Sequence, residues 1–216
     1  MLWQWIVAVF EAIGAALTMD DAFLERVASQ DVVAVAAGVA LVGGISLMIG
    51  HSGILFVNGI RGGRFVLAFL LTGVLTFLLF AIWALFAFVF ALPFTPATPD
   101  IDLLLRLFLL ATAPLCFGFL IAIPYFGPVI ARVLQGWTAL ILLALLRVLL
   151  DVGLIEAIII AVGSWFTMQL VGRVASHPLN WLISRAWLLA TGTPVLLSAR
   201  DILAGHPMVE AVADVD

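Results

Sequence analysis

Three ionisable residues around one turn are the strongest candidates for chemistry in this chain: Arg147, Asp151 and Glu156. Arg147 and Asp151 are four residues apart, a helical spacing that allows an ion pair. Glu156 returns at a similar depth on the next helix. Ionisable groups near the core of a membrane can mark a proton or ion path. The alternative interpretation is an interfacial ion cluster that closes a helical hairpin, with the Arg147 side chain reaching towards the headgroups.

Two histidines offer a second kind of chemistry. His51 ends the first apolar stretch of the chain, and His177 follows the last long one. Imidazole ligates metals and can ligate the magnesium of a porphyrin, so both are candidate pigment contacts. Neither has a second ligand at metal-binding spacing, and Ser46 lacks the flanking glycines of an intramembrane serine nucleophile. We therefore predict no catalytic residue, no metal site and no cofactor.

Long apolar stretches make up most of the chain around these residues. The chain is 65% hydrophobic and 10% charged, and all nine of its basic residues are arginine. Uncharged stretches cover residues 32–60, 65–99, 107–131, 133–146 and 157–172. About 20 apolar residues cross a bilayer, where the backbone must bond to itself. The predicted fold is an all-α, polytopic transmembrane helical bundle of about five spans, with interfacial amphipathic helices at both ends.

The predicted organisation has three parts. Residues 1–30 form an N-terminal interfacial segment, 31–173 a five-span membrane domain, and 174–216 a C-terminal interfacial amphipathic tail. The spans are predicted at about 32–57, 65–92, 103–123, 129–150 and 152–172. The alternatives are an extra span over 1–18, which would bury Glu11, or one over 178–199.

Small residues and prolines predict how the spans pack. Ala36, Ala40 and Gly44 lie four apart in the first span, and this spacing lets two helices approach closely. We favour intramolecular packing, and a homodimer face is the alternative. Pro114 is expected to kink the third span, near whose start Asp102 and Arg106 are spaced to pair. The predicted tight turn between spans three and four contains two prolines and a glycine, Pro124, Gly127 and Pro128.

The distribution of charged residues predicts how the chain is oriented in the membrane. With five spans, one side holds six arginines: Arg61, Arg64, Arg132, Arg173, Arg185 and Arg200. The other side holds three, together with nine acidic residues. Arginine-rich loops stay cytoplasmic, so the N-terminus is predicted outside (periplasm or lumen) and the C-terminus inside. Arg61, Arg64, Arg132 and Arg173 could form a basic ring for anionic headgroups, although positive-inside bias alone would also place them there.

The segment 111–128 resembles the central block of Yip1-domain membrane proteins. Pro114, Pro124, Gly127 and Pro128 hold the places of that family's helix kink and Pro/Gly turn. The following 136–151 stretch and the segments 51–61 and 64–70 are similar to its bacterial, especially cyanobacterial, branch. Over residues 50–172 the resemblance implies five helices and a non-enzymatic role in membrane organisation. The family's N-terminus is usually cytoplasmic, opposite to the prediction from charge.

The sequence therefore predicts a non-catalytic scaffold or assembly factor in a bacterial inner membrane or thylakoid. Its expected partners are membrane lipids and other membrane proteins, and homo-oligomerisation is left open. One alternative is a small-molecule or ion carrier that uses the Arg147, Asp151 and Glu156 cluster. Another is a pigment-contacting accessory subunit of a photosynthetic complex. Net charge −4 and scattered arginines exclude nucleic-acid binding.

Overall fold

A computed structural model describes residues 2–19, 33–50, 63–95, 98–123 and 125–174 of the 216-residue chain. All secondary structure in these ranges is helical. The elements are α1 (Leu2–Thr18), α2 (Val33–Gly50), α3 (Gly63–Ala91), α4 (Ile101–Leu110), a 3-10 helix (Ala113–Ala122), α5 (Gly127–Leu149) and α6 (Leu154–Val174). Predictions on His51, Arg61, Pro124, His177 and the C-terminal tail concern residues outside the described ranges.

Five helical stretches are long and apolar enough to cross a membrane. They are Val33–Gly50, Phe69–Ala91, Ile101–Ala122, Gly127–Leu149 and Leu154–Arg173. The outward side chains of α3 and α6 are large and apolar, among them Leu85, Val162 and Phe166. A water-soluble monomer rarely exposes such continuous apolar surface, whereas a lipid-facing helix requires it. The predicted all-α polytopic bundle is confirmed, and it fits an integral multi-pass membrane protein.

Helix α2 lies at the centre of the bundle because glycines let its neighbours approach its backbone. A Cβ on Gly44 would lie 2.7 Å from the Gly73 Cα of α3. A Cβ on Gly38 would meet the Val9 and Trp5 side chains of α1. Ala36 and Ala40, like Gly44, are buried. The small-residue stripe of the first span therefore packs inside the chain, as expected from its spacing.

The third span changes helix type halfway across. The α-helix ends at Leu110, and residues 113–122 form a 3-10 helix with Pro114 in its first turn. Pro114 has no N–H to donate, and its ring would clash with the carbonyl four residues earlier. The structure shows a change of helix type at this position, and the predicted kink of the span stays a prediction. The proline marks a transition to a narrower helix, and 3-10 runs this long are uncommon.

Helix α1 packs on the bundle through one face. Its buried residues are Val9, Ala12, Ile13 and Ala16, and the Trp5 Nε1–H donates to the Ala34 carbonyl at 3.2 Å. The polar residues Gln4, Glu11 and Thr18, which recur every seven residues, are exposed. An amphipathic helix at the N-terminus is therefore confirmed, and its apolar face is covered partly by α2.

Candidate functional site

The Ser46 hydroxyl joins α2 to the backbone of the 3-10 helix. It donates to the Cys116 carbonyl at 2.7 Å and accepts from the Phe119 N–H at 3.0 Å. In a regular 3-10 helix these two backbone groups would bond each other, because they are three residues apart. The Ser46 hydroxyl therefore contacts both the donor and the acceptor of one rung position of the helix. Ser46 is occupied in packing, which argues against a role as a nucleophile.

Trp83 connects three spans in the middle of the bundle. Its Nε1–H donates to the Ser164 Oγ of α6 at 2.9 Å, and the Ser164 hydroxyl in turn donates to the Ile160 carbonyl at 2.5 Å. The indole also packs edge-on against Phe108 of the third span, with ring centroids 5.2 Å apart. Hydrogen bonds of this kind help to hold membrane helices together, because lipid tails offer no competing partner.

Arg106 is a buried arginine at the end of the bundle where α4 begins. It is 7% exposed, and its Nη2 lies 3.4 Å from Asp100 Oδ2. Its Nε donates to the backbone carbonyl of Asp102, not to the Asp102 carboxylate. Asp100 also caps α4 by accepting from the Asp102 N–H. The predicted ion pair of Arg106 with Asp102 was wrong, because the Asp102 side chain projects from the exposed part of the first turn.

The structure does not bring Arg147, Asp151 and Glu156 into an ion cluster. Helix α5 ends at Leu149, and Asp151 takes a left-handed backbone conformation with φ 51°. The Val152 N–H bonds the Arg147 carbonyl at 3.3 Å, which completes a Schellman-type helix end. Helical i, i+4 geometry is therefore lost at Asp151, and no ion pair joins the three residues within the described ranges.

Arg147 and Glu156 instead each suit the helix terminus where they lie. Arg147 is exposed in the last turn of α5, where a cation interacts favourably with the helix dipole. Glu156 lies in the first turn of α6, and its carboxylate folds back over Gly153. These positions satisfy electrostatics at two helix ends.

Within the described part of the connection before α5, the strained residue is Tyr125. Tyr125 has φ 67° and is 98% exposed. Gly127 is buried, and a Cβ there would contact the Ile121 carbonyl oxygen, so its role is close approach and not backbone reversal. Pro128 is exposed at the start of α5, where its missing N–H has no cost.

Three of the five described arginines lie at one end of the bundle. Arg132 is exposed near the start of α5, Arg173 is exposed in the last turn of α6, and Arg64 belongs to the first turn of α3. Consecutive spans alternate in direction, so these three lie at the same end of the bundle, here called the basic end. No acidic residue of the described spans and turns lies there, since all four belong to the opposite end: Asp100, Asp102, Asp151 and Glu156.

An apolar groove lies between the 3-10 helix and α5. It is lined by Phe117, Leu120, Val129, Ile130, Val133, Leu134 and Trp137, and its volume is about 340 Å³. The rings of Phe117 and Trp137 stack nearly parallel, at an interplanar angle of 6° and a centroid distance of 6.0 Å. We call this feature the 117–137 groove. Its lining holds no polar side chain, so it suits an aliphatic ligand and cannot carry out acid–base chemistry.

The polar groups inside the described bundle are suited to packing more than to catalysis. Ser46, Thr76, Thr112 and Ser164 each donate to a backbone carbonyl. Thr138 differs, because its buried hydroxyl has no hydrogen-bond partner within the described ranges. Groups of three or more metal-ligating side chains do not occur in those ranges either.

No protein-family model, no curated protein and no solved structure matches the chain.

Several of the residues that organise the bundle carried no strong signal in the sequence. Trp83 and Ser164 are 81 residues apart, and only the folded arrangement of α3 and α6 brings them together. Ser46 was notable as a nucleophile candidate, not as a backbone partner. A signal for its role was present in the spacing of Gly43, Ser46 and Gly50, which lie on one face of α2 and contact the 3-10 helix.

Proposed function

We propose that this chain is a non-catalytic membrane scaffold that organises other membrane proteins. The observation that carries the proposal is the use of the interior polar groups. Ser46 completes the hydrogen bonding of a neighbouring span, Trp83 and Ser164 bond two spans, and Asp100 pairs with Arg106. An interior bonded in this way holds the spans in a fixed arrangement. The surface left for interaction is the outward face of the helices.

Helix α6 offers the most accessible surface for a partner. Val162 and Phe166 are exposed on its outward face, whereas Ala157 and Ile160 are fully buried. Helix–helix association within lipid depends on close packing and not on the hydrophobic effect. A partner would therefore be a transmembrane helix that packs along α6. The resemblance to Yip1-domain proteins supports the same kind of role.

Photo-crosslinking in native membranes tests the scaffold proposal. A photoreactive amino acid replaces Val162 on the outward face, and Ala157 on the buried face serves as the matched control. We expect a protein adduct of one discrete mass from Val162 and none from Ala157. Lipid adducts alone, both at Val162 and at Leu85 of α3, would contradict the scaffold role. Solute-dependent flux through proteoliposomes of the purified chain would contradict it as well and would favour a carrier.

We further propose that the basic end of the bundle faces the cytoplasm. Arg64, Arg132 and Arg173 support this orientation through the positive-inside tendency. Single cysteines introduced at Tyr125 and Asp151 test it in a Cys116→Ser background, because both side chains are exposed. In intact cells a membrane-impermeant maleimide should label the Asp151→Cys variant and spare Tyr125→Cys. Labelling of Tyr125→Cys and not of Asp151→Cys would contradict the proposed orientation and show that the basic end faces away from the cytoplasm.

A further inference from the structure

The 117–137 groove runs inwards from the basic end of the bundle. Val129 lies in the first turn of α5, and Trp137 lies eight residues further along the same helix. At 1.5 Å per residue the groove follows α5 for about 12 Å. One leaflet of a bilayer contributes half of a hydrocarbon core of about 30 Å. The groove therefore extends over most of the depth of one leaflet.

The groove opens towards the outside of the bundle. Val129 and Val133 on its wall are 56% and 59% exposed, whereas Leu134 on its inner side is buried. The stacked rings of Phe117 and Trp137 lie at its deep end, because the 3-10 helix and α5 run in opposite directions. An outward groove on a membrane-crossing helix faces the hydrocarbon region. Lipid acyl chains are the groups there that can fill an apolar groove of this depth.

The outer end of the groove carries positive charge. Arg132 is exposed and lies between the wall residues Val129 and Val133 in sequence, and its long side chain can reach the headgroup region. The amino end of α5 adds the positive end of a helix dipole at the same level. The acidic residues of the described spans all lie at the other end of the bundle. A lipid phosphate therefore meets attraction here, and a guanidinium binds phosphate through paired hydrogen bonds.

We propose that the 117–137 groove is a binding site for one anionic diacyl phospholipid. One acyl chain lies between the 3-10 helix and α5, with its inner part against the rings of Phe117 and Trp137. The phosphate lies beside Arg132. This site goes beyond the scaffold role and does not depend on it, because it requires only that α5 begins at a membrane surface.

Quenching of Trp137 fluorescence by brominated lipids tests the proposal on the full chain. The protein is reconstituted into phosphatidylcholine vesicles in which either brominated phosphatidylglycerol or brominated phosphatidylcholine is present at the same mole fraction. The contribution of Trp137 is obtained by subtracting the signal of a Trp137→Phe variant. We expect brominated phosphatidylglycerol to quench Trp137 at least threefold more strongly than brominated phosphatidylcholine. Equal quenching by the two lipids would overturn the proposal.

Two pairs of variants separate a defined site from general attraction. Arg132→Gln should abolish the preference for phosphatidylglycerol, and Arg173→Gln, at the same end of the bundle, should retain it. Val133→Phe should fill the groove and lower quenching by both lipids at least twofold, whereas Val148→Phe, exposed near the other end of α5, should not. Equal loss of preference in both arginine variants would show a general surface effect and overturn the site. If Val133→Phe does not fold, the comparison of Arg132→Gln with Arg173→Gln tests the proposal by itself.

Discussion

The backbone amide of Phe119 donates its hydrogen to the hydroxyl of Ser46, across 3.0 Å and between two different membrane spans. The same hydroxyl donates to the Cys116 carbonyl, so a side chain of α2 completes a helix to which it does not belong. The contact lies near the middle of a 3-10 helix of ten residues. The Phe119 N–H and the Cys116 carbonyl thus have a partner from another span, in a region where lipid offers no hydrogen-bond partner.

Ser46→Ala should destabilise the bundle by about 1–3 kcal/mol, because two backbone groups lose their partner in an apolar interior. Thermal unfolding in detergent measures the loss, and hydrogen exchange at the Phe119 amide should become faster. Thr167→Val is the control, since the Thr167 hydroxyl bonds only the Gly163 carbonyl of its own helix. Equal losses of stability in the two variants would show that the Ser46 contact between spans contributes no more than a hydrogen bond within one helix.

Gly44→Ala should destabilise the packing of α2 against α3 by about 1–3 kcal/mol, the usual cost of overfilling a packed interior. The added methyl would lie 2.7 Å from the Gly73 Cα, which is backbone and can move only with its helix. Gly136→Ala is the matched control, because no atom lies within 4 Å of a Cβ built there. It should leave stability unchanged or raise it by about 0.5–1 kcal/mol through helix propensity. The melting temperature should therefore fall in Gly44→Ala and stay level or rise in Gly136→Ala.

Thr138→Val should raise the stability of the bundle by about 1 kcal/mol. Valine keeps the shape of threonine and removes a buried hydroxyl that has no hydrogen-bond partner in the described ranges. The measurement is the midpoint of thermal unfolding, with Thr112→Val as the comparison, since the Thr112 hydroxyl bonds the Leu109 carbonyl at 2.6 Å. A loss of stability in Thr138→Val would show that this hydroxyl has a partner in the membrane-bound protein.

Arg147→Gln and Asp151→Asn should have independent effects on stability, because the two side chains form no ion pair. In a double-mutant cycle we expect a coupling energy within about 0.5 kcal/mol of zero, the range of non-interacting sites. A coupling energy above about 1 kcal/mol would show that the two side chains interact, as their spacing in the sequence predicts. Asp151→Gly should stabilise the chain by up to about 1 kcal/mol, because glycine accepts the φ of 51° without steric cost.

Gly127→Val should lower the yield of folded protein, because any Cβ at this position contacts the Ile121 carbonyl oxygen. Tyr125→Gly should have the opposite effect, since it relieves a positive φ at an exposed residue. Monodispersity in detergent and the unfolding midpoint are the measurements. If Gly127→Val melted like the unsubstituted chain, the close approach at the start of α5 would be contradicted.

Much of the fold was accessible from the sequence because the membrane restricts the choice of structure. The uncharged stretches alone predict five spans, and the ends of α3 and α5 agree with the predicted spans to within two residues. The small-residue stripe of Ala36, Ala40 and Gly44 likewise predicts close packing. The uncharged stretches and the spacing of small residues are properties of the local sequence, so they predict spans and packing without knowledge of the tertiary contacts.

The charged residues were harder to predict, because their partners depend on where a helix ends. Arg147 and Asp151 have the spacing of a helical pair, yet the chain leaves the helix between them. Asp102 has the same spacing to Arg106, but Asp100 lies outside the helix and its carboxylate turns back to the guanidinium. Helix ends are the least predictable positions, and a shift of one residue there changes which charges meet.

The 3-10 helix also determines the reach of the third span across the bilayer. A 3-10 helix rises about 2.0 Å per residue and an α-helix about 1.5 Å, so residues 113–122 reach about 5 Å further than they would as an α-helix. The contacts of Ser46 with Cys116 and Phe119 connect α2 to this longer segment. Rewinding to an α-helix would draw the 123–127 connection inwards by nearly one helical turn. The length of the third span thus depends on helix type as well as on residue number.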